Sequence, residues 1–404
     1  MFARLALRNI FRNRRRSAIT LAVIVFGAIG LILFGGYKAV TFRGLRESTI
    51  RGRIGHIQVF RAGYASHQSQ KPLEYALDDV ASLRKPIERD PRVQFTAAQT
   101  TLMGLASNGE KSETFLATAV EPDKDKQMRA QKLVAGTDLP VNEVDAILVG
   151  KGLAQSLNVK PGDYITLMTT TTTGSLNALD VRVAGIVMSG VKELDDRSIK
   201  MSLGGAQQLL QTTKVEKLLV FLKETEDTAA VQKDFATLFA SQHWSLEMKN
   251  WSDLASFYHQ VVMLYNGIFG FLGIIVFGVV IFSVANTIAM STFERTREIG
   301  TLMAVGTTRA QVWRMFFAEG VFLGLLGGIF GLAAGALLAW LINQGNVMLP
   351  PPPGYTVGYR LHILLQTPVM FTAFLIALVT ATLSSILPAL KASRMKIVDA
   401  LGHI

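Results

Sequence analysis

The groups that could do covalent chemistry are scattered along this chain. His56, His67, His243, His259, His362 and His403 show no pair at helical i, i+4 spacing and no acidic cluster beside them, so the spacing of a metal site is missing. There is no cysteine. No G-x-x-x-x-G-K-[ST] phosphate loop occurs: Gly150-Lys151-Gly152 lacks the hydroxyl residue that would follow the lysine. The hydroxyl-rich run at 169–175 has the composition of a loop tip. The chemistry that is concentrated is ionic. Between Glu294 and Glu319 stand Glu294, Arg295, Arg297, Glu298, Arg309, Arg314 and Glu319, with Ile299, Leu302 and Met303 forming an apolar stripe at i, i+3, i+4. Gly306 breaks this helix, and Thr308-x-x-Gln311 reads as a capping box starting the next one. An apolar edge between charged flanks is the pattern of a helix that docks in a partner's groove. The competing reading packs the stripe against the chain's own N-terminal helix.

The elements that must hold this hairpin are apolar. Four stretches are long and uncharged enough to cross a bilayer, which takes about 20 residues: Ser17–Tyr37, and segments near Tyr265–Ser291, Val321–Ile342 and Val369–Leu390. The chain has 404 residues and a net charge of +11, and the positions of its basic residues give that charge its meaning. Arg4, Arg8, Arg12, Arg14, Arg15 and Arg16 precede the first span, the hairpin arginines separate spans two and three, and Lys391, Arg394 and Lys396 follow span four. This is the positive-inside distribution. It predicts both termini and the hairpin in the cytoplasm and 41–260 outside, and it argues against nucleic-acid binding. Span one is too long for a signal-peptide core and reads as an uncleaved anchor. None of the spans carries an ionisable residue in its middle, which disfavours an ion-coupled pump.

The predicted organisation is an amphipathic cytoplasmic helix over 1–16, with Ala3, Leu7, Ile10 and Phe11 on one face, then spans at 17–40, 261–293, 320–342 and 368–390. Between them lie an external domain with stalk helices (41–260), the hairpin (294–319), an outer loop (343–367) that includes the stiff LPPPPGY run, and a tail (391–404). The fold class is an α-helical membrane protein with four transmembrane helices and a large inserted α+β periplasmic domain. In that domain Val93–Ser107 and Ser112–Glu121 flank Asn108-Gly109 and predict a hairpin. Phe95, Leu102, Leu105, Phe115 and Leu116 are its candidate apolar surface, with burial in the core as the competing reading. Gly327, Gly331 and Gly335, at four-residue spacing, predict close helix packing, either within one chain or at a dimer seam.

The run ERTREIGTLMAVGTTRAQV (294–312) resembles the cytoplasmic hairpin of the MacB/FtsX-type ABC transporter permeases. ALRNIFRNRRRSAIT (6–20), LVGKGLAQSLNVKPGDYITL (148–167) and PALKASRMKIVDAL (388–401) resemble that family's N-terminus, external domain and C-terminus, so the likeness covers effectively the whole chain. GLRESTIRGRIGHIQVFRAGY (44–64) resembles the LolC/LolE-type entry into the external domain, although no hook for a carrier protein is assignable.

The resemblance implies a bacterial inner-membrane permease that binds no cofactor itself and carries no ATPase site of its own. A dimer of partner ATPase subunits would bind ATP and Mg. The helix bearing Glu294, Arg295, Arg297, Glu298, Ile299, Leu302, Met303 and Gly306 would seat in that partner, and a second permease, a copy or a paralogue, would complete the complex. The stalks would carry motion to the external domains. Membrane lipid and a periplasmic lipoprotein carrier or adaptor are the other implied partners. The branch resemblance favours lipoproteins or other lipid-like cargo. Efflux of drugs or peptides, activation of a cell-wall hydrolase without transport, and a membrane receptor are the alternatives. A receptor would need a signalling domain or a dock for one.

Overall fold

The computed structural model describes residues 14–67, 74–128, 131–350 and 358–395. The amphipathic helix expected over 1–16 lies almost wholly outside these residues, as do the proline run at 351–353 and the tail beyond 395. The chain divides into two compact units. One comprises Val261–Leu349 with the stretches up to Arg43 and from Arg360. The other is built on Gly44–Gln260.

The first unit is helical. Its long helices are α1 (Arg14–Thr49), α7 (Ser256–Glu294), α9 (Arg309–Gln344) and α10 (Thr367–Ser393). Among the described residues these four are long and apolar enough to cross a membrane. α1 and α7 extend past the predicted spans into the α/β unit. Glycine decides the packing. A methyl group at Gly327, Gly331 or Gly335 of α9 would lie 2.5–2.8 Å from Ile24, Ala28 or Ile32 of α1. Gly320, Gly324 and Gly328, one residue-face away, stand against Ser385, Ala381 and Phe374 of α10. The Gly327–Gly331–Gly335 stripe is therefore filled within the chain, and its reading as a dimer seam is corrected: the ridge Ile24–Ala28–Ile32 occupies the groove that the missing side chains leave. Gly27 of α1 in turn lies against Val276 and Val280 of α7. Thr20 and Thr287 share a hydrogen bond, and Lys38 donates to Asn266 at 3.2 Å.

The second unit is one mixed ten-stranded sheet with two lobes that share the 15-residue strand β2. The first lobe is the antiparallel set β10 (Leu246–Asn250), β1 (Ile57–Arg61), β9 (Lys217–Leu222) and the first half of β2 (Val93–Ser107). Helices α2 (Val80–Glu88) and α6 (Thr228–Ser241) cover one face, packing Leu83, Ile87, Val231, Phe235 and Phe239 on Ile57, Val59, Leu218 and Val220. On the other face Phe95 stacks on Phe221 at 4.5 Å, beside Met128 of α3 (Pro122–Met128).

The second lobe closes on itself. The second half of β2 pairs with β3 (Ser112–Val120), β3 with β8 (Ser198–Ser202), β8 with β5 (Ala146–Gly150), β5 with β7 (Leu176–Met188), β7 with β6 (Tyr164–Thr170), and β6 with β2 again. A closed ring of six strands removes the edges an open sheet would expose. β4 (Lys132–Gly136) hangs from β7. The interior is filled by Leu102, Phe115, Ile147, Val149, Leu167, Val181 and Val183, with α4 (Lys151–Leu157) and α5 (Leu203–Leu210) packed against it. β6 can cross β2 only because residue 104 is glycine: a Cβ there would lie 2.0 Å from the Met168 carbonyl oxygen.

Candidate functional site

The charged hairpin follows its sequence signals closely. α7 stops at Glu294, and Arg295 leaves helical geometry at φ −108° and ψ 13°. α8 (Thr296–Ala304) follows, and Gly306 turns the chain at φ +106°, a conformation side chains rarely adopt. The capping box forms: the Gln311 N–H donates to Thr308 Oγ1 at 3.3 Å, and Thr308 N–H donates to Gln311 Oε1 at 2.9 Å.

The apolar stripe splits between two environments. Ile299 is 1% exposed and packs with Ile288, Val312, Phe316, Ala389 and Ala392. Met303 is half-buried against the same cluster. Leu302 is 46% exposed and Val305 83%. The expectation that Ile299 is a docking anchor is corrected, because at 100° per residue Ile299 and Met303 share the inward side while Leu302 and Val305 share the outward one. Arg295 is corrected as well: it is 4% exposed, with no hydrogen bond from Nε or Nη2, so it is part of the joint between α7 and α8 rather than of a free surface. The outward face of α8 is thus Arg297, Glu298, Thr301 and Leu302, with Glu294 exposed just before it and Val305 just after. Val305 is the member that periodicity missed. Its signal was the i+3 step from Leu302.

In the α/β unit, the candidate apolar surface divides the same way. Phe95, Leu102 and Phe115 are buried and belong to the two cores, which corrects their reading as a contact surface: strand alternation sends them inward. Leu105 and Leu116 are exposed, and Met103, which pairs with Leu116 in register, is 70% exposed. Met103, Gly104, Thr114 and Leu116 form one side of a cleft of about 910 Å³. Leu194, Glu193, Asp196 and Arg197 form the other. A second hollow of about 190 Å³ shares Leu116, Leu194 and Ser198, and is lined by polar groups including Gln58, Gln99 and the Asp125–Lys200 ion pair. That pair is buried, with Lys200 Nζ at 2.9 and 3.0 Å from the two Asp125 oxygens. Its residues are 75 positions apart, and nothing local in the sequence marks them as partners. Among the described residues no group of three or more His, Asp or Glu is placed to hold a metal ion.

Of the scattered histidines, each expected to be an ordinary surface or interface residue, His56 departs from that expectation. It is buried where α1 gives way to β1. Its Nδ1 accepts the Leu222 N–H at 3.0 Å, and Nε2 lies 3.1 Å from Thr225 Oγ1. The Thr225 hydroxyl donates to Glu47 Oε1 at 3.0 Å. Burial pushes the ring down to about 4, helped by the Arg51 guanidinium and opposed by the Glu47 carboxylate. Burial raises Glu47, but its bonds from Arg51 and Thr225 and the charges of Arg46 and Arg51 hold it below the usual carboxylate range.

Four helices long and apolar enough to cross a membrane, an α/β domain inserted between the first two, and a charged hairpin between the second and third are the architecture of a multi-pass membrane protein. The model of the FtsX-like permease C-terminal family matches residues 270–397, and that of the MacB-like periplasmic core domain matches residues 17–238, over half of the chain. The chain belongs to the MacB/FtsX-type ABC transporter permeases, multi-pass proteins of the inner membrane whose members work with ATPase subunits. It is 24% identical over 367 residues to the lipoprotein-releasing system transmembrane protein LolC of Xylella fastidiosa, covering 86% of this chain and 84% of that one. It is 29% identical over 194 residues to the macrolide export ATP-binding/permease protein MacB of Escherichia coli, covering 47% of this chain and 28% of that one. The crystal structure of the periplasmic region of MacB from Actinobacillus actinomycetemcomitans matches 51% of this chain and 93% of its own at 14% identity, with a TM-score of 0.38.

Proposed function

We propose that this chain is the permease of a complex that extracts lipoproteins or similar lipid-like envelope cargo from the inner membrane, using ATP hydrolysed by partner subunits. The termini and the hairpin face the cytoplasm, as the basic residues imply, and the α/β domain faces the periplasm. The observation that carries the reading is the outward face of α8. Leu302 and, just past the helix end, Val305 are exposed together with Arg297 and Glu298, while Ile299 fixes the other side of the helix in the bundle. A short helix held this way receives force from a partner groove and passes it into α7 and α9. ATP and Mg are bound by the partner ATPase dimer, a second permease completes the assembly, and continuous α1 and α7 carry the movement to the α/β domain.

The lipid-cargo reading is supported by the LolC likeness over most of the chain and by the apolar wall of the cleft, Met103 and Leu116. A periplasmic carrier would then receive the cargo. The shorter match to a macrolide exporter favours drug or peptide efflux as the second reading.

The test is copurification. The tagged full chain should bring down an ATPase. Charge reversal at Glu294 or Glu298 combined with Leu302→Asp should weaken that contact, and an unchanged complex would sink the docking role. Once the complex is purified, acylated protein that stimulates its ATPase supports the lipid-cargo reading. Stimulation by a drug in the presence of a periplasmic adaptor, with no response to acylated protein, decides for efflux.

A further inference from the structure

The end of α1 is fastened to the α/β domain through a directional chain of hydrogen bonds. α1 stops at Thr49, one π-helical turn follows (Ile50–Ile54), and Gly55 at φ +66° swings the chain into β1. A Cβ at Gly55 would lie 3.3 Å from both Leu219 Cβ and the Val220 oxygen. His56 then takes two bonds of opposite sense. Its Nδ1 is occupied as an acceptor by Leu222 N–H, so the ring proton resides on Nε2 and is donated to Thr225 Oγ1. Thr225 is therefore free to donate its own hydroxyl proton to Glu47, two turns back along the protein from His56. Each group has one role left once its neighbour's is set.

The charged residues around this chain point the same way. Glu47 Oε2 accepts Arg51 Nε at 3.0 Å, and Arg46 Nη2 lies 3.2 Å from Glu47 Oε1 and 3.0 Å from Glu226 Oε1. Arg51 continues to Gln94 Oε1 at 3.1 Å and to the Lys223 carbonyl at 3.2 Å. The last turns of α1 are thereby tied to the start of β2, the end of β9 and the turn leading into α6. Gln94 comes from β2, and Lys223, Thr225 and Glu226 from the single run that links β9 to α6. Backbone bonds complete the joint, with His56 N–H donating to the Val220 oxygen and Trp251 N–H to the His56 oxygen.

We infer that the Glu47–Thr225–His56 chain is a positioning joint that makes the end of α1 and the α/β domain move as one body, so that displacement of the helix is delivered to the domain without slack. This rests on the transmission reading above. Thr225 is its central member, since it alone bonds both the helix and the domain's histidine.

The absence of cysteine allows the test on the full chain with its ATPase in lipid nanodiscs. Spin labels at Ser48→Cys and Lys233→Cys, both exposed, report the joint. The expected result is one narrow distance, the same with and without a non-hydrolysable ATP analogue. Thr225→Val should widen that distribution at least twofold and cut ATP-driven displacement of Lys233 relative to the ATPase at least twofold. ATP hydrolysis should stay within twofold of the parent. Thr225→Ser, which keeps the hydroxyl, should restore both. Glu47→Ala removes the same link from the helix side and serves if the valine variant does not fold. Equal widths in the parent and in either of the disrupting variants overturn the joint, as does a parent distance that shifts with nucleotide. A narrow parent joint whose Lys233-to-ATPase distance ignores ATP overturns the transmission reading alone.

Discussion

Gly331 of α9 faces Ala28 of α1 so closely that a methyl group on the glycine would lie 2.5 Å from the alanine's own. Backbone, rather than side chain, makes that helix contact. Gly331→Val should destabilise the full chain by about 1–3 kcal/mol, the usual cost of forcing extra volume into a packed contact. Gly270→Ala, where nothing lies within 4 Å, should leave thermal unfolding in detergent unchanged or slightly raised, alanine being the better helix former. A thermal melt of the two variants side by side checks both.

The hairpin yields opposite outcomes for residues on its two sides. Val305→Asp should weaken ATPase binding about tenfold or more, the loss of an exposed apolar anchor worth over 1.4 kcal/mol, with little change in melting. Ile299→Asp should lower the melting temperature sharply, because it buries a carboxylate among Ile288, Val312 and Phe316. Binding titration and thermal unfolding on the same preparations separate the two.

For the cleft, a photocrosslinking residue at Met103 or Leu116 should capture acylated protein in cells, while the same residue at Lys233, exposed on α6, should not. Capture of a cell-wall hydrolase at those positions, and of no acylated chain, would favour a non-transporting role. Mass spectrometry of the crosslinked bands reads the difference.

His56 makes stability fall on the acid side. Its ordinary value is near 6.5 and burial pushes it down to about 4. Between those values the unfolded chain binds more protons than the folded one, so stability rises with pH across that window. The contribution is complete above about pH 6.5, declines as pH falls, and levels off below about 4. The full span amounts to about 3 kcal/mol. Unfolding of the full chain between pH 7 and 4.5 should show this slope, and His56→Asn should flatten it.

The buried Asp125–Lys200 pair predicts an asymmetry. Asp125→Ala strands a buried ammonium and should cost about 3–5 kcal/mol, whereas Asp125→Leu with Lys200→Met should be close to neutral. Melting of the full chain distinguishes the two.

Local patterns carried much of this architecture. The uncharged runs gave the spans, Asn108-Gly109 gave the β2–β3 hairpin, and Thr308 with Gln311 gave the start of α9, because each depends on residues a few positions apart. α2 escaped because its inward side is only Leu83 and Ile87, with Pro86 between them. The face of Ile299 was misassigned because periodicity separates polar from apolar sides but does not say which apolar residues meet the chain's own bundle. Closure of the barrel depends on Leu105 meeting Met168 and Gly104 passing under it, and the His56 chain depends on residues 169 and 178 positions apart. Such distances leave no periodic trace.

Ile57 of β1 stands opposite Asn250 of β10 in register, so the chain enters and leaves the α/β domain through two neighbouring strands. Cα atoms so paired are about 5 Å apart. The roughly 200 residues between them therefore form a cassette whose ends meet. Recombination could replace that cassette while leaving the long helices and α8 untouched. In the laboratory, a linker of a few residues should suffice to close it into a soluble protein.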